Sequence, residues 1–332
     1  MSVIGSTYLS LADVYKRQDP DNKVAAIIEV MAQTNPILQD AISVEGNLPT
    51  GHRTTIRTGL PAATWRKMYQ GVQPSKSTTK QVDDSCGMLE AYAEIDKALA
   101  DLNGNAAAFR MSEDKAFIEG MNQEMATSLF YGNTDADPEK FMGLAPRFDD
   151  LSAENANQIV DAGGTGSDNT SIWIIAWGED KSHLIYPKGS KAGLIHEDKG
   201  QVTIQDANNN NYEGYRTHYK WDIGLSVRDW RYVARIANID VSDLATFGSG
   251  SDTSADLINL LIDGLNRLHS MEVPNIVIYC NRTVKTALDK MANADGNRAL
   301  STSVVDGKPV TSFYGYPVRL ADAILNTEAR VV

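Results

Sequence analysis

The stretch NLPTGHRTTIRTGLPAATWRKMYQGVQPSKSTTKQVDDSCGMLEAYAEI, residues 47–95, decides the fold. Its first part, residues 47–82, holds Arg53, Arg57, Arg66, Lys67, Lys76 and Lys80 and neither aspartate nor glutamate. Pro49, Gly51, Gly59, Pro61, Gly71 and Pro74 interrupt it too often for a long helix. The threonine-rich run HRTTIRTG predicts an extended hairpin strand. The return leg alternates: Leu89, Ala91, Ala93 and Ile95 face one way, Met88, Glu90, Tyr92 and Glu94 the other. That period of two is a strand with one apolar face. A long basic hairpin of this kind cannot bury its own backbone. It is either a mobile surface loop or an arm lying on an acidic neighbouring subunit.

Outside the hairpin, acidic surface is plentiful. The 332 residues carry 43 acids against 31 bases, a net charge of −12, although the hairpin itself is cationic. A sequence pI near 4.9 argues against wrapping nucleic acid with the whole surface, which needs clustered cations. It argues equally against a polybasic membrane-surface protein. No apolar run approaches the roughly 20 residues of a bilayer span, and MSVIGSTYLSLADVYKRQ lacks signal-peptide order. With 42% hydrophobic and 22% charged residues the chain is an ordinary folded one. Two cysteines, Cys86 and Cys280, are too few for a disulfide scaffold or a zinc site, so a reducing, cytoplasmic place of folding is expected.

Upstream, residues 1–45 read as an arm with one helix, capped by Asp21 or Asn22 and stopped at Asn35-Pro36. Downstream, Phe117, Met121, Met125 and Leu129 recur every four residues beside Ile118 and predict a helix over about 112–131, with Ser112 as its N-cap. AGGTGSDNTS at 162–171 reads as a loop. Strands are expected at 172–177, 200–205 and 212–220, the last two joined by a turn at Asn208–Asn211, and one or two more within 223–239. FGSGSDTSAD at 247–256 reads as a linker. Leu257, Leu260, Leu261, Leu265 and Leu268 predict an amphipathic helix, Ile276–Tyr279 a buried strand and Thr283–Met291 another helix. Asp306-Gly307 is a hairpin turn, and Tyr316–Leu320 a closing strand. Strands and helices mixed without regular βαβ alternation give an α+β fold class.

Catalytic constellations are missing. GGTGSD does not match GxGxxG, and no Gly-Lys-Ser/Thr follows. His52, His183, His196, His218 and His269 form no HExxH or i, i+4 pair. His196-Glu197-Asp198 reads as a solvated turn, because adjacent residues point apart. Cys86, in DDSCG, has acids that raise a thiol pKa, the wrong direction for a nucleophile. Cys280 ends an apolar strand and is expected to be buried. The reading carries no catalytic residue, no cofactor and no metal.

Taken in order, residues 48–105, FIEGMNQEMATSLFYGNTDADPEKFMGLAPRF, AGGTGSDNTSIWIIAWG and GLSVRDWRYVARIANID resemble tailed-phage major capsid proteins of the Hong Kong 97-like capsid superfamily. The sharpest local mark is Tyr131-Gly132-Asn133 followed by Pro138 and Phe141-Met142-Gly143-Leu144. The resemblance implies an N-terminal arm over 1–45 and an extended E-loop hairpin over 46–95. It implies a P-domain over 96–244 with long strands and the spine helix at about 112–131, whether it also holds part of the A-domain being left open, and an A-domain and closing strand over 245–332. It implies a structural protein that assembles as hexamers and pentamers into an icosahedral phage head enclosing double-stranded DNA without sequence-specific binding. Its implied partners are further copies of itself, a separate scaffolding protein and a portal protein, with a decoration protein left open. It further implies no membrane partner and assembly in the bacterial host cytoplasm.

On this reading Arg53, Arg57, Arg66, Lys67, Lys76 and Lys80 guide the tongue onto an acidic neighbour by complementary potential. Trp65, Met68 and Tyr69, near the tip, supply the apolar anchors. Lys67, Lys76 and Lys80 are read as ionic contacts rather than crosslinking residues. The acidic remainder would give an inner wall that does not stick to packaged DNA. An encapsulin-type shell around cargo, a secreted carbohydrate-active protein and a free-standing oligomeric enzyme stand as alternatives.

Overall fold

The computed structural model describes residues 32–102, 106–206, 208–245, 256–293, 300–305 and 308–332. The expected helix of the N-terminal arm, most of the 247–256 linker and the Asp306-Gly307 turn lie outside them. The chain runs α1 (Ile37–Asp40), β1 (Ser43–Glu45), β2 (Gly51–Gly59), β3 (Thr78–Asp96), α2 (Lys97–Asp101), α3 (Ala106–Tyr131) and β4 (Ile159–Asp161). It continues through β5 (Asn169–Ala176), β6 (Ser182–Tyr186), β7 (Ile195–Gln205), β8 (Asn211–Val227), β9 (Val233–Asp240) and α4 (Val241–Ala245). It closes with α5 (Leu257–Arg267), β10 (Ile276–Cys280), α6 (Arg282–Asn293), β11 (Leu300–Val305), β12 (Lys308–Phe313) and β13 (Tyr316–Leu320).

Two sheets organise these strands. One runs β1-β6-β8-β3-β2, with β7 also on β8; the other runs β11-β12-β13-β10-β5-β9-β4. The central strands β5, β9 and β10 of the second sheet are buried on both faces, which is why they are apolar runs rather than alternations. On β5 and at the residue after it, Trp173, Ile175 and Trp177 point into one core with β8 and α3, while Ile172, Ile174 and Ala176 point into another with α5 and α6. The sheets do not divide the chain at residue 244: β4, β5 and β9 lie in the same sheet as β10 and β13. The mixture of helices with parallel and antiparallel pairs is α+β.

The long helix α3 starts at least as early as Ala106, not at Ser112. Ser112 lies inside it and donates its hydroxyl to the Phe109 carbonyl at 2.8 Å, so it caps nothing. The extra turns are held by Phe109, which packs with Ile95 and Ala100 in a small core of their own. Met121, Met125 and Leu129 are buried as the spacing predicts, and Phe117 stacks on Tyr219 at 6.1 Å.

The helix ends where two glycines permit a close crossing. Gly132 N–H donates to the Ser128 carbonyl at 2.8 Å, Gly143 N–H to the Gly132 carbonyl at 2.7 Å and Leu144 N–H to the Leu129 carbonyl at 3.0 Å. A Cβ on Gly132 would sit 2.5 Å from the Phe141 carbonyl oxygen, and one on Gly143 2.7 Å from that of Ser128. The Gly132…Gly143-Leu144 pattern thus satisfies helix-end carbonyls with a returning backbone. Among the described residues no helix is long and apolar enough to cross a membrane.

Candidate inter-subunit surface

Residues 51–85 form a two-stranded antiparallel tongue. Its register runs from Gly51 opposite Ser85, through Arg53 opposite Asp83 and Ile56 opposite Lys80, to Gly59 opposite Thr78. Nine residues of β2 at about 3.3 Å each carry it about 30 Å from its root. Beyond Gly59 the segment 60–77 holds no strand, and it turns back where Gln70 N–H donates to the Lys67 carbonyl at 3.2 Å. Tyr69 takes φ of +65° in this turn. A left-handed conformation costs a non-glycine residue about 1–2 kcal/mol.

At the tip Trp65 is 101% exposed, Met68 88% and Tyr69 105%. All three lie in the segment beyond the paired strands, and each is almost wholly exposed. Large apolar side chains in so exposed a group mark a surface awaiting a partner.

The six cations divide. Arg53 is already engaged: its Nε and Nη2 donate to the two Asp83 carboxylate oxygens at 2.6 and 2.7 Å, and that bond holds the Asp83 carboxyl below its usual range. Arg57, Arg66, Lys67, Lys76 and Lys80 make no ion pair among the described residues. Arg53 and Arg57 share one face of the tongue. Lys80, opposite Ile56, lies on the other.

The root is fixed by a buried polar group that sequence reading did not assemble. Asp84, opposite His52, accepts from Arg147 Nη2 and from Ser226 Oγ, each at 2.8 Å. His52 Nε2 lies 2.8 Å from Arg228 Nη2, and its ring meets that of His183 edge-on at 5.9 Å. His183 is wholly buried, and burial, with Arg228 beside it, pushes its pKa down to about 4. Gly51 is required here, since a Cβ would stand 2.1 Å from the Asp84 carbonyl oxygen. Asp83-Asp84 is an ordinary acidic pair in sequence. Only β2, β6, β8 and the turn at Arg147 give its second member a distinct role.

The residues weighed as chemical candidates sit elsewhere. His196-Glu197-Asp198 is on strand β7 rather than in a turn: the His196 ring tilts against Tyr219, Glu197 pairs with Lys199 and Asp198 with Arg110. Cys86 is partly buried with its thiol raised to about 11, chiefly by desolvation, and Cys280 is wholly buried and raised to about 12. Both thiols stay protonated at neutral pH. Among the described residues no group of three His, Cys, Asp or Glu side chains could hold a metal ion.

The family model described as Major capsid protein GP7 matches residues 19–332. A chain of the near-atomic resolution structure of bacteriophage Epsilon15 is 43% identical, with 100% of this chain and 99% of that one covered and a TM-score of 0.78. The bacteriophage JBD30 capsid chain has a TM-score of 0.51 at 8% identity, over 90% of this chain and 95% of that one, a likeness of fold alone. No curated protein matches the chain.

Proposed function

The chain belongs to the major capsid protein GP7 family, and from that membership we propose how its copies are joined into a phage head. It is a subunit of an icosahedral tailed-phage shell, with the Hong Kong 97-like capsid fold. The tongue of each copy lies on an adjoining copy within hexamers and pentamers. Its free cations, Arg57, Arg66, Lys67, Lys76 and Lys80, steer it onto acidic surface. Trp65, Met68 and Tyr69 then hold it by burial, since exposed ion pairs contribute only about 0–1 kcal/mol each. Arg53 shapes the tongue through Asp83 and contributes to docking through the shared potential.

The observation that carries this reading is the exposed apolar tip at the end of a paired ladder that keeps it off its own body. The chain acts as a structural component and not as an enzyme. A separate scaffolding protein directs assembly in the bacterial host cytoplasm, a portal protein takes one vertex, and the acidic interior leaves packaged DNA mobile.

The test is electron microscopy and sedimentation of Arg57→Glu/Arg66→Glu and of Trp65→Ala/Met68→Ala/Tyr69→Ala. Both should give folded subunits that build no shell. Normal particles from either variant would overturn the docking role.

A further inference from the structure

We propose that the open edge of β3, from Met88 to Glu94, takes residues 3–11 of an adjoining copy as an added strand. The inference rests on copies meeting in a shell and is independent of where the tongue docks. Cys86 N–H donates to the Thr50 carbonyl at 3.0 Å, so Cys86 turns its backbone toward the β2 side. Strand β3 keeps one register with β8 from Cys86 to Asp96, without a bulge. By the period of two, Met88, Glu90, Tyr92 and Glu94 turn their N–H and C=O groups the same way as Cys86. Pairing with β2 stops at Ser85, and among the described residues no backbone partner bonds those groups.

The other edges of this sheet are blunted. β1 has three residues, β2 carries Arg53 and Arg57 with a bulge between Arg57 and Gly59, and β7 bulges between Asp198 and Gly200 at Lys199. Such devices keep an edge from pairing with another chain. From Gly87 to Ile95 there is no proline, lysine or arginine. Glu90 is already engaged by His218 at 3.2 Å and Glu94 by Arg216 at 2.6 Å. On the same face Met88 is 71% exposed and Tyr92 51%. A smooth edge flanked by exposed apolar side chains suits strand addition.

The occupant is a segment with matching chemistry outside the described residues. In VIGSTYLSL, residues 3–11, Val3, Thr7, Leu9 and Leu11 alternate with Ile4, Ser6, Tyr8 and Ser10. Valine, isoleucine, threonine and tyrosine favour strands. The segment carries no charge, so it sets no like charge against Glu90 or Glu94.

Position on α3 decides which copy supplies it. Gln33 N–H donates to Glu119 Oε1 at 2.9 Å, so the chain meets the body on the Glu119 flank of α3. Glu124, which lines a crevice with Gly87, Met88 and Leu89, lies about 140° around the helix from Glu119, at about 100° per residue. The arm therefore leaves from one flank, and the β3 edge opens on the other. Residues 12–32, extended at about 3.3 Å each as far as residue 21 and helical beyond, reach about 50 Å, enough to cross to the next copy. The two flanks are different patches, so the contact is heterologous.

The test puts the photo-crosslinker p-benzoylphenylalanine in place of Tyr92 and irradiates assembled shells. Denaturing gels should show dimers and higher multimers, and mass spectrometry should find residues 2–11 of another copy at the crosslink. Amides of residues 87–95 should exchange about tenfold more slowly in shells than in free subunits. A chain lacking residues 2–11 should lose that protection, as should Thr7→Pro/Leu9→Pro, which removes strand donors.

Crosslinks to the tongue, to β3 of another copy or to another protein overturn the assignment, as do crosslinks to residues 2–11 confined to the monomer band. Shells that lack residues 2–11 and keep the slow exchange overturn it as well. Where neither altered chain builds shells, the crosslink decides alone, and its absence refutes the proposal. Normal shells from the Trp65→Ala/Met68→Ala/Tyr69→Ala chain would end the tongue-docking reading and leave this one standing.

Discussion

Arg235 on β9 donates from Nη2 to Glu328 Oε2 at 2.8 Å, with 4% and 3% of the two side chains exposed. The second Glu328 oxygen accepts from Ser171 Oγ at 2.7 Å and from the Tyr131 hydroxyl. Arg235 also donates from Nη1 to the Phe148 carbonyl at 2.7 Å and lies over the Trp173 ring at 5.0 Å. One carboxylate thus ties the C-terminal segment to α3, β5 and β9.

Glu328→Ala leaves the Arg235 cation buried without its partner. Removing one member of a buried pair costs about 3–5 kcal/mol. Denaturant unfolding of the subunit should show that loss, and Arg235→Ala should show a similar one. The double variant should lose less than the sum, because the two residues share one interaction.

Tyr69→Gly separates folding from assembly. Glycine takes a φ of +65° without strain, so subunit stability should hold or rise by about 1 kcal/mol. Shell formation should nevertheless fall, because the exposed ring is the anchor. A drop in unfolding midpoint together with intact shells would contradict both halves.

Gly51→Ala tests the tongue root. The new methyl meets the Asp84 carbonyl at 2.1 Å and must push β2 off β3. Thermal unfolding should show severe destabilisation, where Thr55→Ala, on the exposed part of β2, should stay within about 0.5 kcal/mol of the parent.

Acid should loosen the same root. His183 titrates near 6.5 when unfolded and at about 4 when folded, so the unfolded chain binds the extra proton between those values. Its contribution is intact above pH 6.5 and is lost as pH falls toward 4, by about 3 kcal/mol at most. His52 is lowered too, chiefly by burial, and acts in the same direction. The nearby charges are Asp84, Arg147 and Arg228, with Asp180 beyond Arg228. Urea unfolding of the subunit between pH 4 and pH 8 should show this slope, and His183→Phe should flatten it.

Much of the fold is written in local patterns. The alternation of Leu89–Ile95 against Met88–Glu94 is present on β3, with Ala93 and Ile95 buried and Tyr92 exposed. The leucine spacing after Asp256 gives α5, whose Asp256 side chain accepts from Asn259 N–H at 3.2 Å. Ile276–Cys280 is a fully buried strand. Strand β6, SHLIY, is not legible in the sequence, because five residues with a polar start and one histidine resemble a loop as much as a strand. Ser112-Glu113-Asp114 has the composition of a helix start, yet α3 already runs through Ala106–Met111, because Phe109 packing outweighs that preference.

The sequence by itself determined the tongue: a cation-only, Gly/Pro-punctuated segment leading into a period-two strand has one economical geometry, a protruding hairpin, and Trp65, Met68 and Tyr69 fall at its end. Only the tertiary structure decided what the tongue is rooted in and what its charges do. Arg53 is engaged by Asp83 across 30 residues, Asp84 by Arg147 across 63, and Arg235 by Glu328 across 93. Periodicity reports which face of an element is apolar, because burial follows the spacing of side chains along it. The partner of a charge is set by which elements meet in space, and no spacing along the chain encodes that.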